Sequence, residues 1–388
     1  MGKIIHIIGT GPAALMAGTI LSSNGNKIHF YDQKSTPGRK FLVAGNGGFN
    51  LTHSEKVNEF IKKYNHKLIQ KSVENFSNND FIEFLNRINI PTYIGSSGKI
   101  FPEKGIKPIE VLQKWIEHLK LNNCIFHFNS KFIDFTENDF TIEVAGNKSF
   151  IKYETLILAL GGASWKKTGS TGEWINLLTK KGIECKDFEA SNSGFEIEDW
   201  EKNKGLEGFV FKNCNTKLGT TEKLGEVVIT NYGLEGAPIY FLNKIHRLNN
   251  DLKLNIDFKP NKALYEIKKI LEKAKNHSEG LKNLKLSKTT QTFIKLNTSK
   301  EEFSSTIKLS QIIKSFPFKI KSLRPIEEVI STIGGISMEA VNNDYSLKTF
   351  PNIYTCGEML NWDAPTGGYL IQGCVSTGYD CAQNIISK

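Results

Sequence analysis

Residues 3–32 read as strand, glycine loop, helix and strand, and this unit constrains the chain more than any other feature. Residues 3–8 (KIIHII) are a short apolar run of the kind that forms a buried parallel strand. Residues 12–24 carry small apolar residues at helical spacing, and residues 27–32 (KIHFYD) give a second strand. Between the first strand and the helix lies Gly9-Thr10-Gly11-Pro12-Ala13-Ala14, a GxGxxA loop. Gly9 allows the tight turn, Gly11 lets backbone approach a pyrophosphate, and Ala14 permits close packing of helix on strand. The helix N-terminus then offers unpaired N–H groups and a partial positive charge to phosphate. Asp32 ends the second strand, where a carboxylate accepts hydrogen bonds from ribose hydroxyls and repels a 2′-phosphate. Strand, helix and placed acid together predict a dinucleotide site.

The chain has 388 residues, which suits two or three domains. An amphipathic helix is expected over 108–121, with Ile109, Leu112, Ile116 and Leu119 on one face. Short strands are expected at 124–128, 131–135, 140–145 and 149–153, with turns at Asn138-Asp139 and Gly146-Asn147. A further buried strand, 155–160 (TLILAL), ends in Gly161-Gly162. Residues 192–258 look β-rich and 262–315 helical, and strand-like character returns at 329–335 and 352–358 before a last helix from about 368 to 386. We therefore expect a first nucleotide-domain part at 1–190, an inserted β-rich and helical substrate or lid domain at 191–324, and a C-terminal part at 325–388.

No stretch reaches the roughly 18–20 apolar residues of a membrane span, and no export signal is expected. Six cysteines without a CxxC pair or metal-ligand spacing point to a reduced, cytoplasmic protein without a metal. The net charge of +10 rests on lysines spread along the chain, so it reads as a solvated surface rather than a nucleic-acid footprint.

The identity of the dinucleotide follows from the far end of the chain. Gly357-Glu358 closes the strand at 352–358 and resembles the Gly-Asp pair that holds ribitol and pyrophosphate in glutathione-reductase-type FAD folds. Gly161-Gly162 resembles the second strand-end motif of that group. A second GxGxxG does not occur, so FAD is the expected resident cofactor, with NAD(P)H at most a visitor.

The stretch from Gly38, Arg39 and Lys40 through Ala44, Gly45, Asn46, Gly47, Gly48, Phe49, Asn50, Leu51 and Thr52 resembles the glycine-rich loop of the BaiN/YhiN-like FAD-dependent oxidoreductases. Further matches are Lys167 to Gly172, Gly225-Glu226 with Asn231 to Leu234, Ser331 to Ile336, Gly357 to Leu360, and Asp363 to Tyr369. They span nearly the whole chain in order. Many members carry Arg-Cys where this chain has Gly48-Phe49, so no role of that cysteine transfers, and the FAD is expected to be non-covalent.

The resemblance implies a glutathione-reductase-type α/β FAD fold with an insertion that covers the flavin. Arg39 and Lys40 would neutralise the pyrophosphate, Gly45, Asn46, Gly47 and Gly48 would present backbone to the flavin, and Asn50 and Thr52 would supply hydrogen bonds. Gly367, Gly368, Tyr369 and Leu370 open the last helix, whose N-terminus would face the flavin's pyrimidine edge, with Gln372 one turn on. Gly334-Gly335 would form a flavin-facing loop. Tyr369 and His53 are the candidates for proton delivery. Cys356 is expected to be buried and inert, and Arg324, before Glu327-Glu328, to form a linker salt bridge. The implied function is reduction of a small organic acceptor with electrons from NAD(P)H. Alternatives are an O2-using oxidase or dehydrogenase of an amine or alcohol, and a tRNA-associated flavoprotein. The sequence leaves the oligomeric state open.

Overall fold

The apolar runs at the two ends of the chain meet in one sheet. In the computed structural model, which describes residues 2–43, 48–249 and 253–388, β1 (Ile4–Ile8), β2 (Lys27–Tyr31), β3 (Cys124–His127), β4 (Leu156–Leu158) and β5 (Ile353–Thr355) are hydrogen-bonded in the order β5-β4-β1-β2-β3. Every neighbouring pair is parallel. The chain leaves β1 for β2 on one side, while β4 and β5 add on the other. That reversal of strand order beside β1 is where open α/β sheets bind ligands. The chain packs into two compact units, Met1–Glu189 with Ile330–Lys388 and Ala190–Val329.

In the first unit the helices Pro12–Ser23 and Tyr369–Ile386 lie against one another because both present small residues. A Cβ on Gly378 would overlap the Ala13 carbonyl, and one on Gly18 would enter the Phe30 ring. The helix Pro108–Leu121 forms as the spacing predicts, but Ile109 is 43% exposed and the buried face is completed by Val111 and Trp115. The meander Lys131–Phe135, Asp139–Val144 and Asn147–Lys152 turns at Ala145-Gly146, both with positive φ, one residue before the predicted turn. That is the two-residue turn whose twist suits a hairpin.

A histidine stack crosses three strands of the sheet. His6 Nδ1 and the Tyr31 hydroxyl are 3.2 Å apart, and His29 Nδ1 and His127 Nε2 are 2.9 Å apart. Burial, then the neighbouring His29 and His127, drives His6 from its usual 6.5 down to about 4. The unfolded chain therefore takes up this proton first, so stability is full above pH 6.5 and falls as pH drops toward 4. Thermal unfolding followed across that interval should show a declining Tm, and His6→Phe should flatten the decline. An undiminished slope in the variant would assign the acid sensitivity elsewhere.

The second unit is built on a seven-stranded antiparallel sheet. Its core is aromatic, with Phe211 and Phe293 packed edge to face at 4.8 Å and Phe293 and Phe316 at 5.2 Å. Helices fill 264–314 as expected. One helix, Ala237–Leu248, interrupts the segment read as β-rich. Pro238 in its first turn and apolar Ile239 and Leu242 on its buried face account for it. Arg324 pairs with Glu196 and Glu328 and lies over the Tyr232 ring, 3.9 Å from its centroid.

Candidate functional site

The glycine loop after β1 is shaped by backbone that side chains would block. Gly9 has φ +106°, its N–H donates to the Tyr31 carbonyl at 2.8 Å, and a Cβ there would overlap the Ala159 carbonyl. Gly11 is the opposite case. It caps the helix Pro12–Ser23 in an extended conformation, without a side-chain cap, and among the described residues nothing lies within 4 Å of where its Cβ would stand. Pro12 occupies the first helical position, where a missing N–H costs nothing, and the N–H groups of Ala13 and Ala14 have no intrahelical acceptor. The cradle fits a pyrophosphate, which needs close backbone approach and N–H donors at a helix tip.

Asp32 follows β2, and its carboxylate accepts the Thr10 hydroxyl and, at 2.9 Å, the Lys34 N–H. Burial raises its pKa, while those two hydrogen bonds pull the other way. A carboxylate oxygen has lone pairs left for ribose hydroxyls after accepting one bond.

The C-terminal half of the site comes from β5 and the last helix. Gly357 has φ +80°, its N–H donates to the Thr377 hydroxyl at 3.0 Å, and a Cβ there would come within 2.8 Å of the Ala13 Cβ. Gly161 and Gly162 follow β4, the first with φ +72°. A Cβ on Gly162 would overlap the Thr332 hydroxyl, which accepts the Ala163 N–H at 3.1 Å. Gly367 and Gly368 both have positive φ and lead into Tyr369–Ile386, and Gly368 lies so close to the Thr52 backbone that a Cβ would clash. Leu370 is half-buried in that helix's first turn.

Several predicted roles change. The segment after Gly38 is a helical turn, Arg39–Val43, rather than open loop. Arg39 is exposed, and Lys40 is ion-paired with Glu358 at 2.6 Å, so its charge is already matched. Glu358 also accepts the Thr332 N–H at 3.3 Å, and this acid ties β5 to the Lys40 turn. Gly45, Asn46 and Gly47 lie outside the described residues; Gly48 has φ +118°, and Asn50 is half-buried. The Thr52 hydroxyl donates to Gln372 Oε1 at 2.7 Å, while the Gln372 amide donates to the Phe76 carbonyl at 3.0 Å. The pair ties the last helix to the Thr52 strand. Ser331–Ile336 is a strand, as its strand-like pattern suggests, rather than the flavin-facing loop that the resemblance implies, and Gly334 and Gly335 serve close backbone packing against Asp187 and Met359.

Both proton-delivery candidates are committed elsewhere. His53 Nε2 is 3.0 Å from the Ser97 carbonyl and its Nδ1 accepts the Glu55 N–H at 3.2 Å, so both ring nitrogens have partners within the protein. The Tyr369 hydroxyl donates to Glu55 at 2.8 Å, and burial together with that carboxylate pushes its pKa well up. Cys356 is fully buried, as expected, and burial likewise pushes the Cys374 thiol up.

Sequence reasoning missed Thr332, Thr377 and the Lys40–Glu358 pair. Gly378 in the last helix, which meets Ala13 of the first, was the available signal for how the two ends of the chain come together.

Comparisons with known proteins agree with this architecture. The model of the HI0933-like protein Rossmann domain matches residues 3–384. The chain is 22% identical to a ribosomal RNA dihydrouridine synthase of Haemophilus influenzae, over 98% of this chain and 97% of the relative. It is 22% identical to a 3-dehydro-bile acid delta(4,6)-reductase of Clostridium scindens, over 97% of each. Its fold is similar to that of a flavocytochrome c3 fumarate reductase, with TM-score 0.56 and 14% identity, over 99% of this chain and 78% of that one. With the matched model spanning almost its full length and the helix-tip cradle in place, the chain belongs to the HI0933-like Rossmann family and is an FAD-dependent oxidoreductase.

Proposed function

We propose that this chain saturates a carbon–carbon double bond conjugated to a carbonyl in a small organic acceptor, using electrons from NAD(P)H. The observation that carries the reading is the backbone cradle at Gly9 and Gly11 with Asp32 at the neighbouring strand end. The two full-length relatives support the choice of acceptor, because their names describe products of, or substrates for, reduction at such a double bond. Bound FAD supplies hydride transfer. The chain's own residues orient it: the N–H groups of Ala13 and Ala14 take phosphate, Asp32 takes ribose, and the Lys40–Glu358 pair holds the strand ends together. Gly48-Phe49 in place of Arg-Cys supports non-covalent attachment. Six unpaired thiols support a cytoplasmic location.

Anaerobic titration with NADPH or NADH should bleach the flavin band at about 450 nm, and a conjugated enone should restore it faster than O2 does. Bleaching by an amine or alcohol, with O2 consumed in step, would instead make the protein an oxidase. Asp32→Ala should weaken FAD by about 1–3 kcal/mol, the cost of unpairing charged hydrogen bonds. Fluorescence titration measures this, and unchanged affinity would mean that the carboxylate serves only Thr10 and Lys34.

A second reading places the double bond in a pyrimidine of RNA. Residues 262–300 of the second unit hold ten lysines against three glutamates. Lys259 is pushed below its usual pKa by burial and then by Lys262 and Lys285, and Lys262 is itself paired with Glu266 at 3.6 Å.

A further inference from the structure

The glycine fingerprint gives roles to Gly9 and Gly11 and leaves the position between them open. Thr10 fills it and is 1% exposed. Its hydroxyl donates to Asp32 Oδ2 and accepts the Gly38 N–H at 3.2 Å. A hydroxyl has one hydrogen to donate, and here it goes to Asp32, so Thr10 has none left for a ligand. This buried oxygen joins the loop after β1 to the end of β2 and to the residue that precedes the turn Arg39–Val43. Valine has the same shape and would fill the same space with no polar group to satisfy. The hydroxyl is therefore explained by what it bonds and not by packing.

Its effect on Asp32 is directional. The carboxylate carries a donor on each oxygen, the Thr10 hydroxyl on Oδ2 and the Lys34 N–H on Oδ1 at 2.9 Å. Donors fixed on opposite oxygens set the plane of the group and leave it lone-pair capacity for ribose hydroxyls. Thr10 also keeps the group charged. Burial raises the Asp32 pKa, and the Thr10 hydroxyl leads the groups that lower it, ahead of the Lys34 N–H, the Lys34 charge and the Thr10 N–H. Without the hydroxyl the carboxylate could turn, and it would take up a proton at higher pH.

We propose that Thr10 is a positioning residue, which holds the Asp32 carboxylate in the orientation that reads the adenosine ribose of FAD and acts on the cofactor only through that acid. This inference rests on the assignment of Asp32 to ribose made above.

The test measures, by flavin fluorescence on the deflavinated full chain, the affinity for FAD and for an analogue lacking the adenosine 2′-hydroxyl. The parent should prefer FAD. Thr10→Val should weaken FAD about tenfold, as expected for loss of one hydrogen bond to a charged group, and should bind the two ligands almost equally. As the solution is acidified, its FAD affinity should begin to fall at a higher pH than the parent's. Thr10→Ser, which keeps the hydroxyl, should restore affinity, preference and pH profile, and Thr10→Ala should repeat the valine result without a branched side chain. In the Asp32→Ala background Thr10→Val should change FAD affinity by less than about twofold, because the group it acts through is gone.

A parent without the preference overturns the proposal, as do Thr10→Val and Thr10→Ala proteins that keep it with the parent's pH profile, whether or not the unpaired Gly38 N–H lowers their Tm. A full additional loss in the Asp32→Ala background overturns it too. Unchanged FAD affinity in Asp32→Ala removes the ribose assignment and this inference together. A weakened Asp32→Ala beside an unchanged Thr10→Val removes this inference alone.

Discussion

Gly11→Val should purify folded and colourless. Among the described residues no atom lies within 4 Å of the point where its Cβ would stand, and φ at Gly11 is −77°, so valine meets neither a clash with them nor a strained backbone. Its branched side chain instead fills the space in front of the Ala13 and Ala14 N–H groups, where a pyrophosphate must approach the helix tip. The Tm of the flavin-free variant should match that of the deflavinated parent, and added FAD should not bind up to millimolar concentration. Retained flavin absorbance at normal stoichiometry would mean that the phosphates lie elsewhere.

Gly378→Val should have the reverse profile, with stability lost before cofactor. Here a Cβ overlaps the Ala13 carbonyl and also approaches the Ala13 Cα to 3.1 Å, so the clash is with backbone that cannot rotate away. Separating the helices Tyr369–Ile386 and Pro12–Ser23 would open the core beneath them, where Ala14, Ala17, Val375 and Ala382 are buried. Overpacking of this kind costs about 3 kcal/mol or more. Urea unfolding should report it as a lower midpoint with an unchanged m-value. A midpoint within error of the parent would show that the helices tolerate separation.

These contrasting glycines show what a sequence can reveal. Gly9 and Gly11 were legible because a strand, a helix and Asp32 surround them within a few dozen residues, and local periodicity marks each element. The five strands were legible as elements, since apolar runs mark strands buried on both faces, but their order in the sheet was not. Gly378 was not, because its partner is Ala13 at the opposite end of the chain and nothing in a helical pattern says which glycine meets a neighbour. The same holds for Lys40 and Glu358, each given a separate ligand role from its own motif while the fold pairs them with each other. His53, Tyr369, Thr52 and Gln372 were read as available donors for the same reason. Hydrogen-bond satisfaction is a property of the packed interior, and residue type alone does not show where a proton is already given.

The most direct test of the account is reconstitution of the deflavinated protein with FAD, followed by flavin fluorescence and calorimetry. One FAD per chain should be taken up in the parent, released intact by acid or heat, with Gly11→Val binding none and Asp32→Ala binding more weakly. A parent protein that takes up no FAD, or that holds it equally well with valine at position 11, would contradict the placement of the cofactor on the glycine loop.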